Sequence, residues 1–378
     1  MTRRVLYLTG TRADFGLMLP TLRAIHAQPG LEVALCVTGM HLSQRFGHTV
    51  DDVVASGLPV VATLPVDVDE DSGTGMAHAA AAVATGFAAL LQHQRPDICL
   101  LLGDRWEMLA AAMCATLAGV PIVHVCGGER SGSVDDALRH AISKLAHVHC
   151  VATEDSRGRL LGLGEEPARV HVVGTPGLVG IQNLASRGRI AWSAQHRLDS
   201  SARTAVVLFH PVVQDAGVAG QQMENVIHAV YKLGLQALCL MPNADSGNSR
   251  IRDVILAACE RFRGFRAVTH LERSDYLSLI ATADVLVGNS SSGIIEAASF
   301  GTPVVNVGDR QSGRQRNGNT VDCSTDTTAI EASIARALAM QRDGRSNIYG
   351  DGLTDRRITA LLAGLHLDAA LLKKTMTY

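Results

Sequence analysis

The chain is poor in aromatic and charged residues and has no excess of either charge. Aromatic residues make up 4% and charged residues 19% of its 378 positions, and 34 Lys and Arg against 36 Asp and Glu leave a formal net charge of -2. No basic field is available to attract a polyanion, so nucleic acid is not an expected partner. With 47% apolar residues and a mean hydropathy of +0.15, the composition predicts a globular chain, and its length predicts two domains.

Long hydrophobic runs and paired cysteines are also missing. The start, MTRRVLYLTG, has too few apolar residues for a signal-peptide core. No apolar run reaches the roughly 18 to 20 residues that cross a bilayer, so we expect a cytoplasmic protein with no membrane partner, in which the Ala-rich stretch 76–91 is a buried helix. The eight cysteines form no CxxC pair, which favours reduced core residues over disulfides or zinc ligands.

Short apolar runs alternate with helical patterns along the chain, and a polar stretch at 186–203 interrupts them. The runs lack strict alternation, which is typical of parallel sheets covered by helices on both faces. We predict an α/β protein with two doubly wound, Rossmann-like domains at 1–175 and 176–352, followed by a C-terminal helix within 353–378. The predicted strands are 5–9, 33–37, 60–64, 98–102, 120–125, 148–152 and 170–173 in the first domain, and 205–209, 235–241, 266–269, 285–287 and 304–307 in the second.

Several common catalytic motifs are absent. The chain has no Walker A pattern, no G-x-G-x-x-G after a strand, no H-E-x-x-H and no G-x-S-x-G. These absences exclude most nucleotide hydrolases, Rossmann dehydrogenases, zinc proteases and serine hydrolases. Because ligands of doubly wound sheets bind at the carboxyl ends of the strands, the candidates are polar residues in the loops that follow strands.

Three such loops in the first half carry candidate residues. The first supplies Arg12, whose planar guanidinium suits phosphate oxygens, although the same loop could be an ordinary helix start capped by Asp14. His41 follows the second predicted strand, where a lone histidine is a weak signal. Asp104 and Arg105 follow the fourth, and Asp104 could act on a ligand, cap a helix or pair with an arginine.

The loop after the fifth predicted strand gathers three carboxylates beside two adjacent glycines. The carboxylates belong to Glu129, Asp135 and Asp136. Like charges at the mouth of a cleft repel one another, which raises a pKa and makes an acid and a base out of similar groups. We therefore favour a catalytic function for this loop over a merely solvated one. The histidines near residue 140 lack the spacing of metal ligands, so no metal site is expected.

The second half supplies residues suited to a nucleotide diphosphate. His210 begins a strand-end loop and could donate a proton or meet a phosphate as a cation. Ser290 and Ser291 follow another strand at a helix start, where hydroxyls and unpaired N–H groups can hold an anion. Glu296 would repel phosphate unless it accepts hydrogen bonds from a diol such as ribose, and Arg310 adds a guanidinium. The simpler alternatives are a packed histidine, a serine cap and an exposed loop.

Seven motifs agree, in order, with one protein family. They are TGTRADFG, TGMH, LLGDRWE, HVCGGERSGSVDDALRHAISKLAH, FHP, GNSSSGIIEAASFGTPVVNVGDRQSGR and IYGDG. With them the chain resembles the UDP-N-acetylglucosamine 2-epimerase family from end to end, most closely the hydrolysing branch that supplies N-acetylmannosamine for sialic acid synthesis. The resemblance implies a GT-B fold, in which two Rossmann-like domains face each other across a cleft and the last helix returns to the first domain. It also implies a homodimer or homotetramer.

The resemblance further implies a reaction by elimination and hydration of a nucleotide sugar. UDP leaves C1 of UDP-N-acetylglucosamine as the C2 proton is removed, and water then adds at C1 of the 2-acetamidoglucal while C2 is protonated from the other face. The products are UDP and N-acetylmannosamine, and no cofactor or metal is needed. By resemblance the catalytic residues are Asp104, Glu129, Asp135, Asp136 and His210, and the substrate-binding residues are Arg12, His41, Arg105, Ser290, Ser291, Glu296 and Arg310.

One position departs from the family pattern. Many relatives have a glutamate that acts on the sugar at the position of Cys126, and an unperturbed thiol is mostly protonated at neutral pH. Either Glu129 takes this role, or the substrate or the order of steps differs. Three alternatives stay open: a hydrolysing 2-epimerase acting on a UDP- or GDP-2,4-diacetamido-2,4,6-trideoxyglucose in a legionaminic-type pathway, a GT-B glycosyltransferase, and a catalytically silent sensor of sugar nucleotides.

Overall fold

Two parallel β-sheets, one in each half of the chain, carry the fold. The computed structural model describes residues 2–343 and 346–378. The first half contains β1 (Arg3–Thr9), β2 (Leu31–Thr38), β3 (Val60–Leu64), β4 (Ile98–Leu102), β5 (Ile122–Val125), β6 (Val148–Val151) and β7 (Val170–Val172). The second contains β8 (Thr204–Leu208), β9 (Gln236–Leu240), β10 (Phe265–Val268), β11 (Val285–Gly288), β12 (Val304–Val307) and β13 (Thr320–Cys323). The strand orders are β3-β2-β1-β4-β5-β6-β7 and β10-β9-β8-β11-β12-β13, and all neighbours are parallel.

Helices cover both faces of each sheet. The α-helices of the described residues are α1 (Arg12–Ala27), α2 (Val50–Ala55), α3 (Gly73–Gln94), α4 (Trp106–Leu117), α5 (Asp135–Leu145), α6 (Glu154–Gly162), α7 (Ile181–Leu184), α8 (Arg189–Gln195), α9 (Ala219–Lys232), α10 (Asn248–Arg261), α11 (Arg273–Thr282), α12 (Ser291–Ile295), α13 (Thr327–Leu338), α14 (Thr354–Gly364) and α15 (Ala369–Leu372). Alternate residues of β1 enter opposite cores: Val5 packs with α1 and α14, and Leu6 packs with α3 and α4. This arrangement confirms the predicted α/β class.

The strands predicted from the sequence are all present. Every residue of β4, β5, β8 and β12 is buried, which is why these segments show apolar runs and no alternation. The sequence did not predict β13, which lies at the edge of the second sheet. Only Val321 is buried among its four residues, so this strand carries no apolar run.

The long helix α3 is half-buried. It is the one helix of the described residues that is long and apolar enough to cross a membrane, and 33% of its most apolar window is buried. One face packs against α4 through Val83 and Phe87, whereas Ala81 and Ala88 are exposed on the other face. The prediction of a buried helix holds for the inner face and not for the outer one. Because helices packed on a core pass the same test of length and composition, the match alone says little about a membrane.

Helix α14 returns to the first half of the chain. Ile358 and Leu362 are fully buried in the same hydrophobic cluster as Phe15 and Met18 of α1. Arg3 Nη1 strengthens this contact by donating to the carbonyl oxygen of Leu362 at 2.7 Å. The predicted division of the chain into domains, with its C-terminal helix, stays a prediction.

The C-terminal tail is held by Lys374, which reaches the end of α5. Its Nζ lies 2.7 Å from Glu165 Oε2. The same ammonium group donates to the carbonyl oxygens of Ser143, Lys144 and Ala146 at 3.2, 2.8 and 2.8 Å. The last carbonyls of a helix carry partial negative charge, so a cation at this place is stabilising. The tail therefore fixes the C-terminal end of α5.

Glu165 completes a buried ionic cluster. His149 Nε2 lies 2.9 Å from Glu165 Oε2, and neither side chain is exposed. Burial would raise the pKa of Glu165, but the hydrogen bonds from His149 and Lys374 outweigh it and lower the pKa to about 2. Glu165 is therefore ionised at neutral pH.

We predict that Lys374→Met destabilises the protein and that Lys373→Met, at the exposed neighbour, does not. Removal of one partner from a buried ion pair costs about 3–5 kcal/mol, which urea unfolding at pH 7 would measure as the free energy of unfolding. A depressed carboxyl pKa stabilises the fold above its unfolded value, so the difference should shrink as pH falls from about 4.5 towards 2. Equal effects of the two substitutions would contradict this account of the tail.

Candidate active site

The carboxyl edges of the two sheets meet through charged side chains. Arg314, in the loop after β12, donates to Glu129, in the loop after β5. In the neighbouring contact, Arg310 Nη2 lies 3.6 Å from Asp135 Oδ2. Charged residues from both halves of the chain therefore line one cleft.

Asp104, in the loop after β4, is held by a buried arginine of α5. The side chain of Arg139 is 1% exposed and donates to the Asp104 carboxylate. Its Nη1 also donates to Asp136 Oδ1 at 2.6 Å and to the carbonyl oxygen of Glu129 at 3.0 Å. Burial would raise the pKa of Asp104, but the charges of Arg139 and of two arginines from the second half outweigh it and lower the pKa. Asp104 is therefore ionised.

Asp135, the first residue of α5, is shifted the other way. Burial and the charge of Asp104 raise the pKa of Asp135, although Arg310 opposes them. Ser133 Oγ donates to Asp135 Oδ2 at 2.8 Å. Two neighbouring carboxyl groups thus have pKa values displaced in opposite directions, the arrangement in which one group can act as a base and the other as an acid.

Glu129 is 5% exposed and has one unsatisfied oxygen. Its Oε2 accepts from Arg314, whereas Oε1 is buried without a hydrogen-bond partner among the described residues. A buried polar atom without a partner costs about 1–3 kcal/mol. A ligand group that donates to Oε1 would remove this cost.

Cys126 lies in a tight loop that starts where β5 ends. It has a left-handed φ of +61°, and its Sγ lies 3.8 Å from Thr175 Oγ1. Gly128 also has a positive φ, and a Cβ there would collide with the carbonyl oxygen of Ser156. Six of the eight cysteines are buried, which agrees with their prediction as core residues, whereas Cys259 and Cys323 are half-buried. Burial raises the pKa of the Cys126 thiol to about 11, so this thiol cannot act as a base at neutral pH.

Asp136 is occupied by the protein itself. Its Oδ1 accepts from the backbone N–H and the hydroxyl of Ser131 at 2.6 and 2.8 Å, and its Oδ2 accepts from the N–H of Gly132 at 2.9 Å. Arg139 binds Oδ1 as well. Asp136 therefore holds this loop and Arg139, and the catalytic role expected from the sequence stays a prediction.

His124 of β5 links α5 to the loop that carries Asp104. Its Nε2 lies 2.7 Å from the carbonyl oxygen of Gly103, and its Nδ1 lies 3.0 Å from Ser143 Oγ. Burial lowers the pKa of His124 to about 3, so the ring is neutral and Nε2, which faces the carbonyl, carries the proton. Helix α5 thus reaches the Asp104 loop twice, through Arg139 and through Ser143.

His210 follows β8 and is fixed by Asn289. The backbone N–H of His210 donates to Asn289 Oδ1 at 2.7 Å, and its carbonyl oxygen accepts from Asn289 Nδ2 at 2.8 Å. The backbone N–H of Asn243 donates to His210 Nδ1 at 3.3 Å, which leaves Nε2 as the protonated nitrogen. Burial, together with Arg310 and Arg105, lowers the pKa of His210 to about 3. The neutral ring favours a role as hydrogen-bond donor over one as cation.

The segment after β11 contains the simple serine cap that was the alternative to an anion site. Ser290 Oγ accepts from the N–H of Ser292 at 3.3 Å and caps the five-residue helix α12, which Ser291 begins. Glu296 is 5% exposed and accepts from Arg273 Nη2 at 2.5 Å. The cap does not exclude a ligand, and Glu296 has an ionic partner.

Two predicted binding arginines are engaged with other residues. Arg12 Nη1 lies 2.5 Å from His270 Nδ1, and its Nε lies 3.4 Å from Asp52 Oδ2. Arg105 Nε lies 2.9 Å from the fully buried carboxylate of Glu107. Arg12 therefore connects the two halves of the chain, and Arg105 supports the loop beneath Asp104.

His41 is not brought to the cleft. It is fully buried, with Nε2 2.9 Å from Thr9 Oγ1 and Nδ1 2.7 Å from Thr49 Oγ1. Both ring nitrogens are used within the protein, so His41 packs this loop, and the substrate contact expected from the sequence stays a prediction.

Sequence reasoning missed three arginines that hold carboxylates. Arg139 follows Asp136 at helical spacing, a signal that could have identified it. Arg314 lies in the same loop as Arg310, which was the only arginine of that loop chosen. Arg273 gave no signal, because its partner lies 23 residues away in sequence.

Comparisons with known proteins agree with one another. A model of the UDP-N-acetylglucosamine 2-epimerase family matches residues 23–363. A Legionella pneumophila protein named UDP-N,N'-diacetylbacillosamine 2-epimerase (hydrolyzing) is 41% identical over 378 residues, covering 100% of both chains. A Neisseria meningitidis protein named UDP-N-acetylglucosamine 2-epimerase is 31% identical over 93% of this chain and 92% of its own. The crystal structure of UDP-GlcNAc 2-epimerase from Neisseria meningitidis bound to UDP-GlcNAc has a TM-score of 0.80 at 17% identity, covering 95% of this chain and 99% of that one, which confirms the predicted fold.

Proposed function

The chain belongs to the UDP-N-acetylglucosamine 2-epimerase family, and on this basis we propose that it is a hydrolysing 2-epimerase of a UDP-linked 2-acetamido sugar. The observation that carries this proposal is the 41% identity along all 378 residues to the Legionella pneumophila protein named as a hydrolyzing enzyme. The substrate would lie in the cleft between the two sheets. The reaction needs no metal and no other cofactor.

The diphosphate is proposed to bind where β8 and β11 end. Ser290 and Ser291 would supply hydroxyls, Arg310 a guanidinium, and the neutral His210 a hydrogen bond from Nε2. Such fixed donors lower the energy of the charge that develops on the departing UDP. Glu296 would accept hydrogen bonds from the ribose hydroxyls.

Asp104 is proposed as the base and Asp135 as the acid. When the C1–O bond breaks, its electron pair leaves with UDP, and the electron-poor C1 acidifies the neighbouring C2–H. Ionised Asp104 takes this proton, which gives the 2-acetamidoglucal. Water then adds its hydroxyl to C1, and Asp135 transfers its proton to C2 from the opposite face. The proton of the water restores Asp135, and the proton on Asp104 is released. The opposite pKa shifts of the two residues support this division.

Glu129 is proposed to orient the substrate in place of the glutamate that many relatives have at position 126. Its unpaired Oε1 can accept from a sugar hydroxyl or from the amide N–H, while Arg314 keeps the other oxygen fixed. This pairing would hold the sugar between Asp104 and Asp135.

We favour UDP-2,4-diacetamido-2,4,6-trideoxyglucose as the substrate. This compound is also called UDP-N,N'-diacetylbacillosamine. The relative named for that substrate is 41% identical, whereas the Neisseria meningitidis relative named for UDP-N-acetylglucosamine is 31% identical. UDP-N-acetylglucosamine, the substrate that the family resemblance implies, is the second candidate.

The proposal is tested by incubation with each nucleotide sugar in deuterated water. We expect UDP and a free sugar of manno configuration that keeps one deuterium at C2 after return to ordinary water, because the C2 proton is replaced from solvent. Mass spectrometry and proton NMR would measure the label, with Asp104→Asn as the inactive control. We expect kcat/KM to be about tenfold or more higher for the diacetamido sugar. A free sugar without deuterium would refute proton abstraction, and an intact epimerised nucleotide sugar would refute hydrolysis.

A second prediction concerns Glu129, which is proposed to replace the glutamate that many relatives have at position 126. Glu129→Gln should lower kcat by about 10²-fold or more, because it removes a fixed charge from the reacting centre. Cys126→Ala should stay within about threefold of the parent, because a protonated thiol contributes no base. Steady-state assays of UDP release would measure both, with thermal unfolding as the check on folding. An inactive but folded Cys126→Ala would show that the roles are reversed.

A further inference from the structure

A second cleft lies at the carboxyl edge of the second sheet, beside the proposed catalytic site. Its volume is about 580 Å³, within the usual range of small-molecule sites. Phe209 and Asn289, which follow β8 and β11, line it together with Asn306 of β12 and residues 322–325. The order of the strands reverses between β8 and β11, and doubly wound sheets bind ligands at such a reversal. Among the residues that line this cleft, the catalytic proposal assigns a ligand contact only to Arg310, at the border with the catalytic site.

Asn306 lines this cleft and has an unsatisfied acceptor. The residue is 2% exposed, and its Nδ2 donates to Asp322 Oδ1 at 2.7 Å. Its Oδ1 is buried without a hydrogen-bond partner among residues 2–343 and 346–378. A buried amide oxygen without a donor is costly, so this atom favours a ligand that donates.

The charges that line the cleft disfavour an anion. Arg316 is held by Asp322, with its Nη2 2.9 Å from Oδ1. Arg310 donates to the carbonyl oxygen of Asn289 at 3.2 Å. Asp215 and Asp309 add two further carboxylates to the lining. Asp322 engages Arg316, and the three lining carboxylates outnumber the two guanidiniums, so the lining disfavours any phosphate beyond the diphosphate that Arg310 is proposed to bind.

The remaining lining suits a sugar ring. Phe209, Val212 and Val307 form an apolar part, and hydroxyls of Ser312 and Thr325 lie beside it. A pyranose has apolar C–H surfaces together with hydroxyl donors, and an acetamido group adds an N–H donor and a methyl group. We propose that this cleft binds a free, neutral 2-acetamido monosaccharide.

The identity of that sugar rests on the proposed function. Arg310 lines the cleft and also lies 3.6 Å from Asp135, so the two sites share a wall. A monosaccharide released beside Asp135 can therefore pass to the second cleft while UDP still occupies the nucleotide site. The ligand is then the sugar product of the reaction.

Gln222 and Gln221 of α9 provide a matched pair of variants. Gln222 lines the cleft, whereas Gln221 is its exposed neighbour outside the lining. Gln222→Trp should fill the cleft, and Gln221→Trp places the same side chain on the solvent face. Asn306→Leu removes the unpaired acceptor at nearly constant volume.

The test measures binding of two probes, N-acetylmannosamine and 2,4-diacetamido-2,4,6-trideoxymannose, to the full chain at saturating UDP. Isothermal titration and saturation-transfer NMR would give the dissociation constants. We expect at least one probe to bind and both Gln222→Trp and Asn306→Leu to weaken it by about tenfold or more. Gln221→Trp should leave the constant within about twofold. Inorganic phosphate should not displace the sugar.

Two results would overturn the proposal. One is the absence of sugar binding to the parent protein, and the other is binding that neither Gln222→Trp nor Asn306→Leu weakens while both variants are folded. Turnover of UDP-sugars, assayed separately, distinguishes this failure from failure of the proposed function. Sugar binding that responds to Gln222→Trp without any turnover would refute only the identity of the ligand as product.

Discussion

Guanidinium groups that cross between the two sheets set the charge of the carboxyl groups in the cleft. Arg314 and Arg310 come from the second half of the chain, yet together with Arg139 they lower the pKa of Asp104, whose burial alone would raise it. Asp135, which faces the charge of Asp104, is shifted upwards. The opposite pKa shifts of these two carboxyl groups are therefore a property of the assembled cleft, since neither half of the chain contains all of these charges.

Helix α5 connects these charged groups to the rest of the first half of the chain. Its first turns carry Asp135 and Arg139. In its last turn, Ser143 reaches the Asp104 loop through His124, and Lys374 caps the last carbonyls. The helix is thus fixed at both ends and along its length. Such support is what a catalytic constellation requires, because small displacements of reacting groups are costly. The C-terminal tail therefore supports the site, because it fixes the end of α5.

Features that follow from a local sequence pattern were predicted. Features that depend on contacts between residues far apart in the sequence were missed. Apolar runs located the buried strands, and the rule that ligands bind at strand ends brought Asp104, Glu129, Asp135 and Arg310 together correctly. An edge strand such as β13 has too little buried surface to leave a pattern. The burial of His41 depends on contacts between separate loops, which no local motif records. For the same reason the partner of Glu296, Arg273, could not be read from spacing alone.

The most direct test is a crystal structure of the Asp104→Asn variant with the intact nucleotide sugar bound. The account predicts the diphosphate within hydrogen-bond distance of Ser290, Ser291 and Arg310, with C2 of the sugar within about 3.5 Å of residue 104 and its opposite face towards Asp135. A diphosphate bound away from the ends of β8 and β11, or a sugar ring directed out of the cleft, would contradict it.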